Sequence, residues 1–324
     1  MPHAIRVHQL GGPEVLRWEA IDLPEPEAGQ VRVRQSAIGL NFIDVYHRTG
    51  LYPPPQLPFT PGLEAAGVVT AVGPGVTSLT PGDRVGYTDV LGAYAEERNL
   101  PAERVLTLPD DIAERDAAAL LLKGMTAAYL LHRTYAVQAG ETILVHAAAG
   151  GVGQLLCRWA AHLGATVIGT VGNDAKAAIA RDCGCQHPLV WGRDDVVARV
   201  RELTAGEGVP VVYDSVGRDS FEVSLDCLRP FGLLASFGQS SGKVPPLDVT
   251  RLSAKGSLYL TRPTLMHHIR RRADLTSLAA KLFGAVRSGA VSAGIAQTYP
   301  LAEAARAHAD LEARRTTGST VLLP

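Results

Sequence analysis

The second half of the chain alternates strand-like apolar runs with helix-forming stretches, and a glycine cluster follows the first run. The run TILV, residues 142–145, leads into HAAAGGVGQ and then into a helical segment. Four further strand-like runs follow, and a sixth, GSLYLT, comes after Lys255. Strands and helices in alternation predict a parallel sheet with right-handed connections, so we expect a doubly wound α/β domain of the Rossmann type.

In this setting the glycine cluster predicts a dinucleotide site. Its spacing, Ala148-x-Gly150-x-x-Gly153, has alanine where the usual motif has its first glycine. Gly150 would let the backbone approach the pyrophosphate, and Gly153 would let the helix pack on the strand. The free amides at the start of the helix, at Gly151 and Val152, would hold the anion. The alternative is a turn that serves helix packing alone.

The end of the second strand, IGTVGNDAK, bears on the choice between NAD and NADP. An NAD site usually has an acid here to hold the ribose hydroxyls. Gly169, Thr170 and Gly172 leave room instead, and Lys176 can meet an additional phosphate. Asp174 is the conflicting residue, because it is either that acid or the N-cap of the helix that carries Lys176. We expect NADPH.

The first third of the chain has a different sequence pattern. The segments QVRVRQSAI, AAGVVTAVGPGV and PGDRVGY are strand-like and are separated by turn residues, which predicts a mostly β domain. After about residue 263 come two helical stretches and a final apolar strand, STVLLP. That strand could rejoin the first domain.

Composition narrows the range of partners. With 31 basic and 32 acidic residues the net charge is -1, so neither nucleic acid nor an anionic membrane is an expected partner. The basic run HHIRRR, residues 267–272, is interpreted as a solvated helix face. We find no leader and no apolar run near the roughly 20 residues that span a bilayer, so a cytoplasmic location is expected. The 4 cysteines lack the spacing of a metal site, and no metal is expected.

Several longer motifs resemble one known family. HAAAGGVGQ, NFIDVYHRTGLYPPP, PGLEAAGVV, VVYDSVGRD, SFGQSSG and KGSLYLTRP are similar to motifs of the zinc-independent quinone oxidoreductases, the zeta-crystallin-like group of the medium-chain dehydrogenase/reductase superfamily. The resemblance implies a GroES-like catalytic domain over residues 1–120, completed by 264–324, with a Rossmann domain over 121–263 inserted in it. It also implies NADPH and a homodimer, in which GSLYLT could pair across a twofold edge.

Two positions argue against a catalytic zinc. Zinc-dependent relatives have a cysteine where this chain has Asn41, and a histidine where it has Leu63. Leucine cannot bind a metal and asparagine is a poor zinc ligand. We therefore expect Glu64, which follows Leu63, to be a structural carboxylate.

Without a Lewis acid, the chemistry favours substrates that accept hydride unaided, such as quinones and activated alkenes. We expect zinc-independent transfer of a hydride, or of single electrons, from NADPH to a quinone. One alternative is an NADPH-dependent enone or enal double-bond reductase. Another is a non-enzymatic NADPH-binding protein that binds RNA or acts as a crystallin-like component.

The resemblance places residues of LNFIDVYHRTGLY around the reaction centre. Asn41, Tyr46 and Tyr52 are the expected catalytic residues, because each can donate a hydrogen bond to a quinone oxygen. Phe42 and Asp44 are expected near the nicotinamide half of the cofactor. The alternative is that Asp44 caps a short helix and that the tyrosines are packing residues. We expect the neighbouring His47 to face solvent.

Further cofactor contacts are expected on other segments. Three of them lie three residues apart in LLKGMTAAYLL and so share a helical face. The other expected contact residues follow the ends of later strands or carry positive charge. The full set is Lys123, Thr126, Tyr129, Trp191, Ser215, Val216, Phe237, Gly238, Gln239, Ser240, Arg262 and Arg314. Lys123 could equally be a surface lysine, and either arginine could be a surface salt-bridge residue. Relatives carry a tyrosine where this chain has Trp191, whose indole lacks a hydroxyl.

Overall fold

The strands form three sheets in a computed structural model that describes residues 1–324. In chain order they are β1 (His3–Val7), β2 (Leu16–Ala20), β3 (Gln30–Leu40), β4 (Glu64–Val72), β5 (Arg84–Thr88), β6 (Glu97–Pro101), β7 (Val105–Thr107), β8 (Thr142–Val145), β9 (Thr166–Val171), β10 (His187–Val190), β11 (Val209–Asp214), β12 (Leu228–Ser236), β13 (Tyr259–Thr261), β14 (Ile295–Pro300) and β15 (Ser319–Leu323).

The helices connect these strands or pack beside them. They are α1 (Phe42–Thr49), α2 (Glu114–Tyr129), α3 (Gly151–His162), α4 (Asp174–Asp182), α5 (Val196–Leu203), α6 (Phe221–Cys227), α7 (Thr250–Ala254), α8 (Leu265–His268), α9 (Arg272–Arg287) and α10 (Ala304–Glu312). A π-helical turn, Leu130–Thr134, directly follows α2. No helix has both the length and the apolar character needed to cross a membrane.

Six strands form one parallel sheet in the order β10-β9-β8-β11-β12-β13. Counted along the chain, this is the Rossmann order 3-2-1-4-5-6, and α3 to α7 supply the crossovers. The predicted doubly wound sheet is therefore confirmed. The strand order reverses between β8 and β11, and sheets of this type bind ligands at that point, beyond the carboxyl ends of the strands.

A second, seven-stranded sheet runs in the order β14-β15-β3-β4-β5-β7, with β6 also paired to β3, while β1 and β2 form a separate pair. All its pairings are antiparallel except that of β14 with β15. The C-terminal β15 pairs with β3, Thr320 opposite Leu40. The mostly β domain and the return of the tail to it are thus confirmed.

The chain divides into two units. The first unit comprises residues 1–123, 271–279 and 292–324, and the second comprises 124–270 and 280–291. The seven-stranded sheet lies in the first unit and the parallel sheet in the second. The predicted domain limits, 1–120 with 264–324 and 121–263, stay a prediction.

Each unit has its own apolar core. In β3, alternation puts Val31 and Val33 into the core of the first unit, and leaves Arg34 exposed. In the second unit the parallel strands are apolar on both faces, and their residues, such as Leu144 and Val212, are fully buried. These two patterns are what a one-sided antiparallel sheet and a covered parallel sheet require.

Candidate functional site

The glycine-rich turn joins β8 to α3 through close backbone contacts. Ala147 has a left-handed φ of 53°, and its carbonyl accepts the Gly150 N–H at 2.9 Å. A Cβ at Gly153 would overlap this same carbonyl oxygen, so glycine is needed for α3 to approach the turn. Gly150 is the N-cap of α3. The amides of Gly151 and Val152, in the first turn, have no acceptor within the helix and can hold an anion.

The turn after β9 leaves space around Gly172, and the carboxylate of its one acidic residue, Asp174, is paired with an arginine. A Cβ at Gly172 would meet no atom within 4 Å. Asn173 is the N-cap of α4, because its side chain accepts the Lys176 N–H at 2.9 Å, so the alternative that Asp174 is the cap is wrong. The carboxylate of Asp174 instead accepts two hydrogen bonds from Arg193, at 2.8 and 3.0 Å. This turn therefore carries one lysine, and its acid is paired with Arg193.

Residues just after β10 lie beside that turn, because β10 pairs with β9. The Trp191 N–H donates to the Val171 carbonyl at 2.8 Å, and the indole is partly exposed. Arg193 is the functional candidate that sequence analysis missed. The adjacency of consecutive strands was the signal that could have found it, since it brings the ends of β9 and β10 together.

The loops after β11 and β12 pack against each other. The Ser215 carbonyl accepts the Ser240 N–H at 3.2 Å, and the Val216 carbonyl accepts the Ser241 N–H at 2.9 Å. A Cβ at Gly238 would lie 2.5 Å from the Ser215 oxygen, so the approach requires glycine. The structure thus brings Ser215 and Val216 together with residues 237–240, which include Phe237 and Gln239, at the carboxyl ends of central strands.

Other predicted cofactor residues occupy separate places. Thr126 and Tyr129 are buried on α2, and the Tyr129 ring stacks on His268 with their centroids 4.2 Å apart. Arg262 follows β13 directly. Arg314 lies in the first unit, just past the end of α10, with a left-handed φ of 58°. Contacts of these residues with a cofactor stay a prediction.

An aromatic group forms around α1 in the first unit. The rings of Phe42 and Tyr46, one helical turn apart, have centroids 5.6 Å apart, and Tyr46 meets Tyr52 edge-on at 5.1 Å. The Tyr52 N–H donates to the Tyr46 carbonyl at 3.0 Å, which fixes the turn after the helix. The expectation that His47 faces solvent holds only in part, because this residue is half-buried. Its ring lies 6.2 Å from that of Tyr52, and burial lowers its pKa.

The N-terminus of α1 is held by Asp44, which is fully buried. Its Oδ2 accepts the backbone N–H of Asn41 at 2.9 Å and the Tyr94 hydroxyl at 2.9 Å. Asp44 therefore takes the capping role of the alternative interpretation, as the third residue of a capping box whose N-cap is Asn41, and its contact with the cofactor stays a prediction. Burial raises the pKa of Asp44 to about 7, although both hydrogen bonds favour the charged form.

A buried chain of hydrogen bonds leads from Asp44 to α10. Arginine can only donate, so Arg48 Nη1 donates to His308 Nδ1 at 3.1 Å. His308 therefore carries its proton on Nε2 and donates to the Tyr94 oxygen at 3.0 Å. Arg48 also donates to Glu312 at 2.8 Å. Burial and the nearby Arg48 lower the pKa of His308 to about 3, so its imidazole is neutral.

Glu64 is fully buried and anchors three segments. Its Oε1 accepts from Asn41 Nδ2 at 2.8 Å and from Lys123 Nζ at 3.0 Å, and its Oε2 accepts the Leu122 N–H at 2.6 Å. Glu64 has the structural role expected of it. The alternative that Lys123 is a surface lysine is wrong, because this side chain is 5% exposed and ion-paired.

The Asn41 amide is engaged within the first unit. Besides Glu64, it donates to the Gly39 carbonyl at 3.3 Å, so a hydrogen bond to a substrate oxygen would have to replace one of these contacts. The neighbouring Leu63 is a buried apolar residue. Across the chain, no three histidine, cysteine, aspartate or glutamate side chains are grouped as metal ligands would be.

Comparison with family models defines the class of protein. Residues 27–110 match the alcohol dehydrogenase GroES-like domain, and residues 151–283 match a family described as zinc-binding dehydrogenase. A GroES-like domain combined with a Rossmann sheet is the architecture of the medium-chain dehydrogenase/reductase superfamily.

Full-length relatives narrow the class. A quinone oxidoreductase of Pseudomonas aeruginosa is 52% identical, with 100% of both chains covered. A 2-haloacrylate reductase of a Burkholderia species is 47% identical, covering 100% of this chain and 99% of that protein. The Escherichia coli quinone oxidoreductase structure complexed with NADPH aligns with a TM-score of 0.97 at 47% identity, over 99% of this chain and 100% of the other. The chain belongs to the quinone oxidoreductase family.

Proposed function

We propose that this protein is an NADPH-dependent quinone reductase that transfers a hydride, or single electrons, without zinc. The observation that carries the proposal is the turn after β9, where Arg193 occupies the one acid while Gly172 is open and Lys176 lies in the first turn of α4. Such a turn suits the additional phosphate of NADPH better than the ribose hydroxyls of NADH. The NADPH-bound relative supports the same choice.

The second unit fits this cofactor at two further places. The first-turn amides of α3, at Gly151 and Val152, would hold the pyrophosphate, since Gly150 and Gly153 let backbone and helix come close. The packed loops after β11 and β12 would border the rest of the NADPH molecule. Trp191 would stack near the adenosine. When bound, NADPH supplies the hydride.

The aromatic group of the first unit supports a flat acceptor. Phe42, Tyr46 and Tyr52 present rings at stacking and edge distances, and the two tyrosines carry hydroxyls that can donate to a quinone oxygen as negative charge develops there. We assign this role to Tyr46, Tyr52 and Asn41. The two N–H groups of Asn41 donate to Glu64 and Gly39, so Asn41 would exchange one of these bonds for one to the substrate oxygen.

A second candidate function is reduction of an activated alkene. The 2-haloacrylate reductase that is 47% identical to this chain supports it, and such substrates also accept hydride without a Lewis acid. In this case the same hydroxyls would stabilise charge on a carboxylate or carbonyl oxygen.

The proposal extends to assembly, location and domains. β13 ends the parallel sheet, and its residues Tyr259 and Leu260 are 61% and 38% exposed. This supports a homodimer formed by pairing two copies of this edge.

The proposed location is the cytoplasm. All four cysteines are free, as is usual in reducing compartments such as this one. We assign catalysis to residues 1–120 with 264–324, and dinucleotide binding to 121–263.

Comparing acceptors under anaerobic conditions tests the proposed reaction. Values of kcat/KM would be measured with NADPH for 1,4-benzoquinone, a simple enone and 2-chloroacrylate. We expect the quinone to be preferred. A kcat/KM for 2-chloroacrylate above that of every quinone would replace the leading proposal with the second candidate, and NADPH binding without turnover of any acceptor would refute both.

A further inference from the structure

A buried polar cluster in the second unit consists of side chains to which the proposed function assigns no contact with cofactor or substrate. It consists of His146, Thr170, Asp214, Ser220 and Ser224, and none of these residues is more than 3% exposed. We refer to it as the His146 cluster. Polar groups this deep in a core are costly unless each is hydrogen-bonded, so the cluster requires an explanation.

The donors and acceptors of the cluster run in one direction. Asp214 Oδ2 accepts from the Ser224 hydroxyl at 2.8 Å, which uses the single proton of that serine. The His146 Nε2 atom, 3.0 Å from Ser224 Oγ, must then be the donor of that bond. His146 Nδ1 is left as the acceptor for the Thr170 hydroxyl at 2.8 Å. His146 is thus neutral with its proton on Nε2, and burial lowers its pKa accordingly.

The composition of serine, histidine and aspartate suggests a hydrolytic triad, but the connectivity excludes one. In a triad the histidine lies between the other two residues and takes the proton of the serine. Here Ser224 lies in the middle, and its hydroxyl donates a hydrogen bond to Asp214 rather than to His146. All three side chains are also almost completely out of contact with solvent. The cluster is therefore built to hold positions.

The positions that it holds are the ends of three neighbouring strands. His146 follows β8 and begins the glycine-rich turn, Thr170 lies near the end of β9, and Asp214 ends β11. Asp214 Oδ1 also accepts the backbone N–H groups of Val216 and Gly217, at 2.8 and 3.1 Å. One chain of hydrogen bonds thus links three loops that the proposed function assigns to NADPH.

The cluster also reaches a proposed cofactor residue directly. The ring of Trp191 meets the His146 ring edge-on, with centroids 5.8 Å apart and planes at 78°. The orientation of the indole therefore depends on the position of the imidazole, which Thr170 and Ser224 fix from either side.

We propose that the His146 cluster positions the NADPH-binding loops, with Ser224 as the residue that couples the β11 loop to the glycine-rich turn and to Trp191. The inference rests on the proposed cofactor site. These are positioning residues that touch no substrate, so their loss should weaken cofactor binding and leave the chemical step intact.

The chain offers a matched control for Ser224. Ser220 lies on the same helix, is as deeply buried, and also donates to Asp214, at 2.7 and 2.8 Å, but no hydrogen bond joins it to His146. Ser220→Ala therefore removes one donor from Asp214 without breaking the link to β8 and β9, whereas Ser224→Ala breaks that link. A second pair, Thr170→Val and Thr170→Ser, removes or keeps the hydroxyl that meets His146 Nδ1.

The experiment is a titration of each purified full-length variant with NADPH, followed by tryptophan fluorescence, together with Tm and the kinetics of quinone reduction. We expect Ser224→Ala and Thr170→Val to raise the Kd and KM for NADPH about tenfold. A change of this size corresponds to the free energy of roughly one hydrogen bond. We expect kcat at saturating NADPH to stay within about twofold of wild type. Ser220→Ala should change Kd about threefold or less, and Thr170→Ser should restore binding.

A purely structural role would give a different pattern. If Ser224→Ala and Ser220→Ala lower Tm by similar amounts and leave the Kd for NADPH at the wild-type value, the inference is overturned. The binding titration needs no turnover, so a wild-type protein that binds NADPH but reduces no quinone refutes the proposed function and still tests the cluster. If the wild type binds NADH alone, the same variants are titrated with NADH, and binding of neither dinucleotide overturns both proposals.

Discussion

Replacing Asp44 with asparagine is expected to remove a pH-dependent loss of stability. Burial raises the pKa of Asp44 from its usual 3.8 to about 7, against the hydrogen bonds from Asn41 and Tyr94. Between these two values the carboxyl group is protonated in the folded chain and ionised in the unfolded chain. Unfolding then releases a proton, so the wild-type protein loses stability as the pH rises through this range.

The magnitude follows from the two pKa values. They differ by about 3.2, which corresponds to a loss of about 3 kcal/mol between pH 4 and pH 7, and of about 2 kcal/mol between pH 5 and pH 7, because the folded-state carboxyl group is only half ionised at pH 7. Asparagine keeps the packing, because its carbonyl oxygen can accept from Asn41 and Tyr94 as Oδ2 does. Its amide nitrogen takes the place of Oδ1, which is buried and has no hydrogen-bond partner.

His308 provides a contribution of opposite sign. Burial and Arg48 lower its pKa from 6.5 to about 3, so between these values the unfolded chain binds a proton that the folded chain does not. Stability of the wild type therefore rises with pH up to about 6.5 through this group, by about 2 kcal/mol from pH 5. In the wild type the two contributions oppose each other. Replacing Asp44 leaves the His308 contribution to the pH dependence, and replacing His308 leaves the Asp44 contribution.

The assay is reversible guanidinium unfolding of Asp44→Asn, His308→Gln, the double variant and wild type at pH 5, 6 and 7. Relative to wild type, Asp44→Asn should gain about 2 kcal/mol as the pH rises from 5 to 7, and His308→Gln should lose about 2 kcal/mol. Exposed Asp22→Asn is the control and should follow the wild type at every pH. Parallel pH curves for Asp44→Asn and wild type would refute the raised pKa of the buried carboxyl.

Three further predictions concern the phosphate contact of the cofactor, the hydroxyls proposed to contact the quinone, and the dimer edge. Lys176→Ala should raise the KM for NADPH about tenfold more than that for NADH, and equal effects in steady-state kinetics would contradict the phosphate contact. Tyr46→Phe or Tyr52→Phe should lower quinone kcat/KM about tenfold with little change in the Kd for NADPH, while unchanged quinone kinetics in both would remove the hydroxyls from the mechanism. Tyr259→Asp should shift the protein from dimer to monomer in sedimentation at micromolar concentration, and a wild-type monomer would refute the edge pairing.

The parallel sheet could be predicted because its strands are buried on both faces and so form unbroken apolar runs between helices. β14 could not be predicted in the same way. It is an edge strand whose residues alternate between partly buried and exposed, so no apolar face marks it in the sequence. The π-helical turn after α2 carries no signal of its own, because it differs from α-helix only in hydrogen-bond register.

The candidate site was predictable where motif and strand end coincide, as at Gly150, Gly153 and Lys176. It was not predictable where partners are distant in the chain. Tyr94 and His308, which support Asp44, are 214 positions apart, and Ser224 and His146 are 78 apart. The local sequence around each of these residues does not identify its partner, because the two members of a pair come together only when the strands and helices have packed.

The most direct measurement of the central claim is anaerobic oxidation of NADPH by the chelator-treated protein in the presence of a quinone, repeated with NADH. We expect chelation to leave the rate unchanged, NADPH to be preferred, and one hydroquinone to form for each NADPH consumed. Loss of activity on chelation that zinc restores, or a preference for NADH, would contradict zinc-independent quinone reduction by NADPH.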